Sequence, residues 1–286
     1  MQQIVFNGHY LMYLDTAVAG WWRAMALPYQ ATMQALAGDL YVRKATLDYL
    51  GSARYDDQID VGIKTARIGN TSMLIQGAVL RGDTLLVSAE LVYVFADPAS
   101  QTPKPVPQPL RDVLLAFEGG QPMVQVRLGG WDRLGVEAGT LHEQVLVEAQ
   151  KIPATLACGA ADGGALHAVA YNRLGLALAT GRLLAPAAGG SGSAEALGVS
   201  RSGGLGGLGG ISQIGGIAVL AALRGSGIGG LVLQALMQAA RERGDAGVLL
   251  HAQVSALAFY RRHGFVAQGP VFDEAGITHQ AMVCAL

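Results

Sequence analysis

The chain is short of charge. Only 14% of its 286 residues are Asp, Glu, Lys or Arg, with a formal net charge of -1 and a pI near 6.6. Without a basic excess it lacks the electrostatic signature of nucleic-acid binding, so no nucleic-acid partner is expected. Hydrophobic residues make up 51%, yet no run of about 18 uninterrupted apolar residues occurs, so no membrane span is expected.

Cysteine is also scarce, and the two residues, Cys158 and Cys284, form no CxxC motif. Wide spacing of this kind favours a reducing cytoplasm over a disulfide scaffold. The first residues do not have the pattern of a signal peptide. The six histidines do not cluster, so no metal site is expected. HExxH, GxSxG and Walker-type motifs are missing too.

Glycine, by contrast, is abundant, with 40 residues, and the length suits two domains. Prolines punctuate residues 98 to 109 and prevent a central strand or helix interior there. Gly119-Gly120-Gln121-Pro122 follows, so we predict domains at 1–120 and 121–286. Residues 186 to 210, rich in Gly, Ser and Ala, are predicted to form a flexible loop.

The first half predicts one long helix against an antiparallel sheet. From Tyr10, apolar residues recur every three or four positions and indicate a helix that ends before Pro28. Four strands are predicted next, at 40–49, 59–68, 72–81 and 84–95. A short helix at 110–117 closes this domain.

The segment Ile4–Asp15, IVFNGHYLMYLD, resembles the opening motif of hotdog-fold acyl-CoA thioesterases of the 4-hydroxybenzoyl-CoA and YbgC-like type. Tyr49, Asp56-Asp57 and the turn at 69–72 also fit that family, so the resemblance covers about residues 1 to 118. It implies a hotdog fold, acyl-CoA as ligand and a homo-oligomer formed through this domain.

One departure from the family concerns its catalytic residue. The family's catalytic aspartate would fall just before Met1, so the resemblance implies either a natural chain that starts upstream or a domain that binds acyl-CoA without cleaving it. Asn7 is the catalytic candidate left nearby, with helix capping as its alternative role. For His9, packing or capping competes with catalysis.

The stretch Arg224 to Gly230 decides our interpretation of the second half. It follows the apolar run at 214–220 and opens a segment, 230–243, with apolar side chains at helical spacing. Glycines let the main chain approach an anion, and the helix's free N–H groups and dipole favour phosphate. The predicted pyrophosphate-binding residues are Arg224, Gly225, Ser226, Gly227, Ile228, Gly229 and Gly230.

Two classes of nucleotide fit this turn. Gly225, Gly227 and Gly230 satisfy GxGxxG, and Asp245 follows at about the spacing of a nicotinamide-dinucleotide fingerprint. That match is weak, because Asp245 precedes the next predicted strand, where the fingerprint places its acid at the strand's end.

The alternative pattern, Arg224-x-x-Gly227-x-Gly229, resembles the acyl-CoA-binding signature of the GNAT superfamily of N-acetyltransferases. The later segment 253–265, with Tyr260 inside it, resembles that family's N-x-x-A-x-x-hydrophobic-Tyr-x-x-x-G-F segment. Ser255 is the predicted N-cap of a short helix there. Residues 142–149 are predicted to form a helix, and residues 145–153 are similar to the ElaA-like branch. Together the resemblances imply an α+β protein: an N-terminal hotdog domain, then a C-terminal GNAT α/β domain with a mixed, largely antiparallel sheet.

The GNAT resemblance also implies roles for single residues. The strand ending at Val219 should splay from its neighbour near Gln253 and leave main-chain N–H groups for the thioester oxyanion. Tyr260 would protonate the departing thiolate, and Gln253 replaces the family's asparagine beside the pantetheine arm. No specific base is evident, and the titratable candidates are Glu148, His251, Glu274 and His279. The segment 269–279 is predicted to be a substrate-side loop that favours a cationic amine.

We therefore expect transfer of an acetyl group from acetyl-CoA to an amine acceptor, without a metal, fused to a thioesterase-like module. Two alternatives remain at this stage. One is an acyl-CoA sensor that has lost its chemistry, and the other is an NAD-dependent oxidoreductase built on the GxGxxG turn.

Overall fold

The computed structural model describes residues 3–154, 160–186, 210–274 and 276–286. The chain divides into two compact units, one of residues 1–123 with 172–174 and the other of residues 124–171 with 175–286. Most of the predicted loop at 186–210, and Cys158, lie outside the described residues.

The first unit is a helix on a four-stranded antiparallel sheet with strand order β1-β4-β3-β2. Its elements are α1 (Asn7–Ala24), α2 (Tyr29–Ala35), β1 (Asp39–Tyr49), β2 (Asp60–Ile68), β3 (Ser72–Arg81), β4 (Thr84–Ala96) and α3 (Gln108–Glu118). The core stripe of α1 includes Tyr10, Leu14 and Val18, all buried. Gly77 of β3 gives α1 room to approach, because a β-carbon there would collide with Leu14. The predicted arrangement of one long helix against an antiparallel sheet is confirmed.

The second unit contains a seven-stranded sheet of order β10-β11-β9-β8-β7-β6-β5. Its elements are β5 (Val124–Gly129), α4 (Trp131–His142), a π-helical turn (Glu143–Glu148), β6 (Leu166–Asn172), β7 (Ala177–Leu184), β8 (Ile211–Val219), α5 (Ile228–Arg243), β9 (Gly247–Gln253), α6 (Leu257–Arg262), β10 (Val266–Glu274) and β11 (Ile277–Ala285). β8 and β9 run parallel, whereas β6–β7, β7–β8, β9–β11 and β10–β11 are antiparallel. The sheet is mixed and largely antiparallel, as predicted.

Three local predictions were wrong. The helix predicted at 142–149 begins at Trp131 and continues as the π-helical turn. Gly135 obscured the first part, since glycine weakens a helical signal, yet here it gives room for the Trp131 indole, which a β-carbon would meet at 2.7 Å. The predicted substrate-side loop at 269–279 belongs to the β10–β11 hairpin. The helix expected to start at Ser255 has Ala256 as its N-cap residue.

Candidate functional site

A gap between two parallel strands forms the candidate site. Within the described residues, β8 and β9 pair only where Ile211–Gln213 face Gly247–Leu249. Beyond that point β8 keeps its pairing with β7, with an irregularity in register between Thr180 and Arg182. A cavity of about 980 Å³ lies here and includes residues of both splayed strand ends. We call this gap the β8–β9 wedge.

Most of the turn from Arg224 to Gly230 lines this cavity, but Ser226 and Ile228 do not, because the Ser226 hydroxyl donates to the Leu223 carbonyl and Ile228 is buried. Among the described residues, the main-chain N–H groups of Gly225, Gly227, Ile228 and Gly229 make no hydrogen bond, whereas that of Gly230 donates to the Gly227 carbonyl at 2.9 Å. Gly225 and Gly227 have φ values of +81° and +87°, the left-handed region that glycine enters without steric cost. The turn therefore presents several main-chain donors at the start of α5.

α5 is held by its buried face, which includes Val232, Leu233 and Leu236. It starts after Gly227 and ends at Gly244, whose φ is +83° and whose N–H donates to the Arg241 carbonyl at 2.9 Å. A left-handed glycine after the last turn is a standard helix stop. The burial of this face fixes where the N-terminal donors of α5 lie.

Close packing surrounds the first turn of α5. A β-carbon at Gly229 would come within 3.2 Å of Val219, and one at Gly230 within 3.1 Å of the His263 ring. Arg224 lies at the cavity and its Nε donates to the Val219 carbonyl at 3.4 Å. The strand end and the glycine turn are thus linked directly.

Tyr260, on the short helix α6, also lines the cavity. Its side chain is 9% exposed, and its ring packs edge-on against Phe259 and Phe265 at centroid distances of 4.9 and 5.8 Å. Burial raises the pKa of Tyr260 to about 12, because desolvation penalises the phenolate. Its hydroxyl has no hydrogen-bond partner in the described part of the chain. The phenol therefore remains protonated at neutral pH.

Gln253 lies at the end of β9, on the other side of the wedge. Its Nε2 donates to Gln150 Oε1 at 2.9 Å, across 103 positions of sequence. Both residues line the cavity. Sequence analysis did not identify Gln150 as a site residue, although Gln150 lies in the segment 145–153 that resembles the ElaA-like branch.

The four candidate bases separate into two groups. His251, Glu274 and His279 line the cavity, whereas Glu148 borders a different, shallow depression. The His251 Nδ1 lies 3.6 Å from Glu274 Oε2. The strand pairing of β9, β11 and β10 brings these three residues together, although they are far apart in sequence.

A buried polar cluster lies next to β8. His142, fully buried at the end of α4, has its Nε2 2.9 Å from the Gly216 carbonyl oxygen. Arg182 of β7 lines the cavity and pairs with Asp162 at 2.5 Å. Burial lowers the pKa of His142, so this imidazole is neutral near pH 7. Sequence analysis did not identify His142 as a site residue.

Asp245, the acid of the dinucleotide fingerprint, is bound by neighbouring side chains in the structure. Burial would raise the pKa of Asp245, but hydrogen bonds from Arg243 and Ser212 lower it overall. Arg243 binds the carboxylate at 2.7 Å through one of its terminal NH2 groups, and Ser212 Oγ bonds the same carboxylate oxygen. Asp245 is only 9% exposed, so this clamp leaves it poorly placed to bind a ribose.

In the first unit, Asn7 is the first residue of α1 and follows the N-cap residue Phe6. Among the described residues, the Asn7 side chain makes no hydrogen bond. The main-chain carbonyl of Asn7 accepts from the Tyr49 hydroxyl at 3.1 Å. His9 packs against Phe6 and Tyr13, with ring centroids 5.7 and 6.3 Å away. Asp57 accepts hydrogen bonds from the Arg54 N–H and from Arg81, which lower its pKa. Asp57 is therefore a charged turn residue.

No group of three or more His, Cys, Asp or Glu that could hold a metal ion lies within the described ranges. In the same ranges no helix combines the length and the hydropathy needed to cross a membrane.

Known proteins resemble the two parts of the chain separately. Residues 196–286 match the family model of the acetyltransferase (GNAT) domain, and residues 2–94 match that of the thioesterase superfamily. A 66-residue segment is 41% identical to the uncharacterized N-acetyltransferase YjcF of Bacillus subtilis, over 23% of this chain and 47% of that protein. The chain thus spans about half the length of this relative.

Two further matches concern the two parts in turn. The acyl-CoA thioester hydrolase YbgC of Escherichia coli O6:H1 is 26% identical over 106 residues, covering 37% of this chain and 78% of that protein. The crystal structure of an acyl-CoA N-acyltransferase from Pseudomonas aeruginosa is 28% identical, with a TM-score of 0.45, over 57% of this chain and 99% of that one. Both predicted resemblances are confirmed, since one segment of the chain matches the thioesterase superfamily and another matches the acetyltransferase (GNAT) domain.

Proposed function

We propose that the GNAT domain transfers an acyl group, acetyl in the simplest case, from a coenzyme A thioester to the nitrogen of an amine. One observation carries this proposal: unengaged N–H groups at the start of α5 lie at the cavity of the β8–β9 wedge. Such donors, with the partial positive charge of the helix N-terminus, suit the diphosphate of coenzyme A.

The remaining residues supply the chemistry. A thioester in the wedge would lie between Val219 and Gln253, where β8 main-chain donors can stabilise the oxyanion formed as the amine attacks. The Tyr260 hydroxyl then gives its proton to the departing thiolate. Because the phenol is protonated at neutral pH, it can act as this acid without prior proton uptake.

Binding and turnover together test the proposal. Calorimetry on the full chain should show binding of coenzyme A and acetyl-CoA and none of NAD. Incubation of acetyl-CoA with a panel of primary amines should release free thiol and add an acetyl mass to an amine. Preferential binding of NAD would contradict the proposal, and so would thiol release without an acetylated amine.

For the hotdog domain we propose acyl-CoA binding in which the Asn7 side chain contacts the thioester. The match to the thioesterase superfamily and the absence of a cap role for that side chain support this. Calorimetry should then give two coenzyme A sites per chain. Asn7→Ala should weaken the site of this domain by about three- to tenfold, the value of one hydrogen bond, and leave the other site unchanged. A homo-oligomer through this domain is part of the proposal, to be checked by light scattering.

A further inference from the structure

Three strands at one edge of the larger sheet carry an unusual set of side chains. His251 of β9 is registered opposite Ala281 of β11, so the two side chains share a face. Because Ala281 carries only a methyl group, the imidazole can lean across β11. Its ring meets Phe272 of β10 edge-on, with centroids 4.9 Å apart.

Glu274, two residues beyond Phe272 on the same strand face, completes the arrangement. Its Oε2 lies 3.6 Å from His251 Nδ1, and the side chains are 44% and 36% exposed. This separation is too long for a hydrogen bond, so the carboxylate acts on the ring through its charge. Among the described residues, His251 Nε2 makes no hydrogen bond. This nitrogen is therefore the one available for a substrate proton.

One further histidine and two arginines border the same cavity. His279 of β11 stacks on Phe272 and its Nδ1 lies 2.8 Å from the Ile277 carbonyl oxygen. Arg262 of α6 and Arg182 of β7 also line the cavity, and Arg182 is paired with Asp162. Among the described residues, Glu274 is the carboxylate that pairs with His251.

We infer that His251, oriented by Glu274, is the general base that deprotonates the acceptor, and that the acceptor is a primary alkylamine bound as its ammonium ion. This inference rests on the proposed acyl transfer. An ammonium ion suits a site with the Glu274 carboxylate at its wall, whereas only the free amine has the lone pair needed for attack.

Proton transfer begins at the ammonium ion. One N–H proton of the ammonium passes to His251 Nε2 and later to solvent. The amine then forms a C–N bond to the thioester carbonyl, and collapse of the oxyanion breaks the C–S bond. The thiolate takes the Tyr260 proton. The second nitrogen proton, acidic once the amine has added, replaces the proton lost by Tyr260.

The test uses His251→Gln and Glu274→Gln in the full chain, with Glu242→Gln as control. Glu242 is exposed on α5 and contacts Gln238, so its variant removes a charge away from the cavity. With acetyl-CoA and a panel of primary alkylamines at about pH 7, His251→Gln should lose roughly 100-fold in kcat, within the range of general-base catalysis. Glu274→Gln should lose roughly tenfold, and affinity for coenzyme A should be unchanged in all three.

The pH profile separates catalysis from folding. The wild-type rate should depend only weakly on pH above neutrality, because His251 removes the ammonium proton, whereas the His251→Gln rate should keep rising until the alkylamine itself loses its proton, near the pKa of a lysine, about 10. A weakly basic arylamine, already neutral at pH 7, should be acetylated by His251→Gln within about threefold of wild type, since no prior deprotonation is needed.

The possible failures are distinguishable. A wild-type chain that acetylates no amine refutes the proposed function and this inference together. An active wild type with an unchanged His251→Gln variant refutes the inference alone. If His251→Gln loses the same factor in kcat for alkylamine and arylamine and keeps the wild-type pH profile, His251 has a structural role only.

Discussion

The Nε2 atom of His142 lies 2.9 Å from the carbonyl oxygen of Gly216, the residue at which β8 departs from regular strand geometry. Gly216 has a φ of +60°, and a β-carbon there would come within 2.8 Å of that same imidazole nitrogen. The absence of a side chain at Gly216 thus leaves the space that the His142 imidazole occupies. Since Gly216 lines the cavity, this contact helps fix the main chain of the wedge.

His142→Ala is expected to destabilise the full chain by about 1–3 kcal/mol, because a buried carbonyl loses its hydrogen-bond donor. His142→Gln keeps an amide donor and should recover part of this loss. Urea unfolding, followed by a signal from the second unit, measures the free energy of unfolding of both variants. Equal stability of His142→Ala and wild type would show that the contact contributes nothing.

The same histidine predicts an acid sensitivity. Its folded pKa is lowered by burial, so the unfolded chain binds a proton more readily and stability falls as the pH drops below about 6.5. His142→Gln should show a shallower decline in this range. Parallel stability curves for the two proteins would contradict the assignment.

Tyr260→Phe should lower kcat by roughly 100-fold or more, since it removes the acid that protonates the thiolate, while coenzyme A affinity stays within about twofold. Tyr171→Phe is the control, because Tyr171 is buried but does not line the cavity. A sensor without chemistry would show no turnover in wild type, and an unchanged kcat in Tyr260→Phe would remove its role as acid.

Burial of Tyr260 has a second consequence at alkaline pH. Its folded pKa, about 12, exceeds the unfolded value of about 10. Its contribution to stability is therefore complete below about pH 10 and is lost as the pH rises towards 12. Thermal unfolding at about pH 11 should show a smaller loss of Tm for Tyr260→Phe than for wild type. An identical loss would mean that the phenol is more hydrated than the structure indicates.

Arg224→Ala should weaken coenzyme A binding by about ten- to a hundredfold, because a hydrogen bond to a charged group is worth roughly 1.5–3 kcal/mol. The effect should shrink in high salt. Arg241→Ala, on the exposed last turn of α5, is the matched control. Pantetheine, which lacks the diphosphate, should bind both variants as it binds wild type. If Arg224→Ala loses as much affinity for pantetheine as for coenzyme A, Arg224 does not bind the diphosphate.

Asp245→Asn separates the acyl-CoA and dinucleotide interpretations. In the structure Asp245 holds Arg243 and Ser212, so the variant should lower Tm and leave coenzyme A affinity unchanged. Its lowered pKa means that this contribution is present above about pH 4 and lost as the pH falls through the folded pKa. NAD binding that depends on Asp245 would instead favour the oxidoreductase alternative.

How far sequence analysis succeeded depended on whether the signal was local. The helix from Tyr10 and the glycine turn at 224–230 were predicted because periodicity and motif spacing lie within one continuous segment. α4 was missed because Gly135 weakens the helical signal. The room that Gly135 leaves for the Trp131 indole is visible only in the tertiary structure. The β10–β11 hairpin was predicted as a loop because Gly269-Pro270 signals a break, whereas pairing with β11 extends the strand beyond it.

The amino-acid sequence by itself determined the two-part family assignment and the chain segment that presents free N–H groups to an anion. Both follow from residue types at fixed spacing, which one strand, turn or helix can express alone. Only the tertiary structure brought His251 towards Glu274, Gln150 to Gln253, and His142 to Gly216. Strand pairing and helix packing bring these distant residues together, and that proximity leaves no local pattern in the sequence.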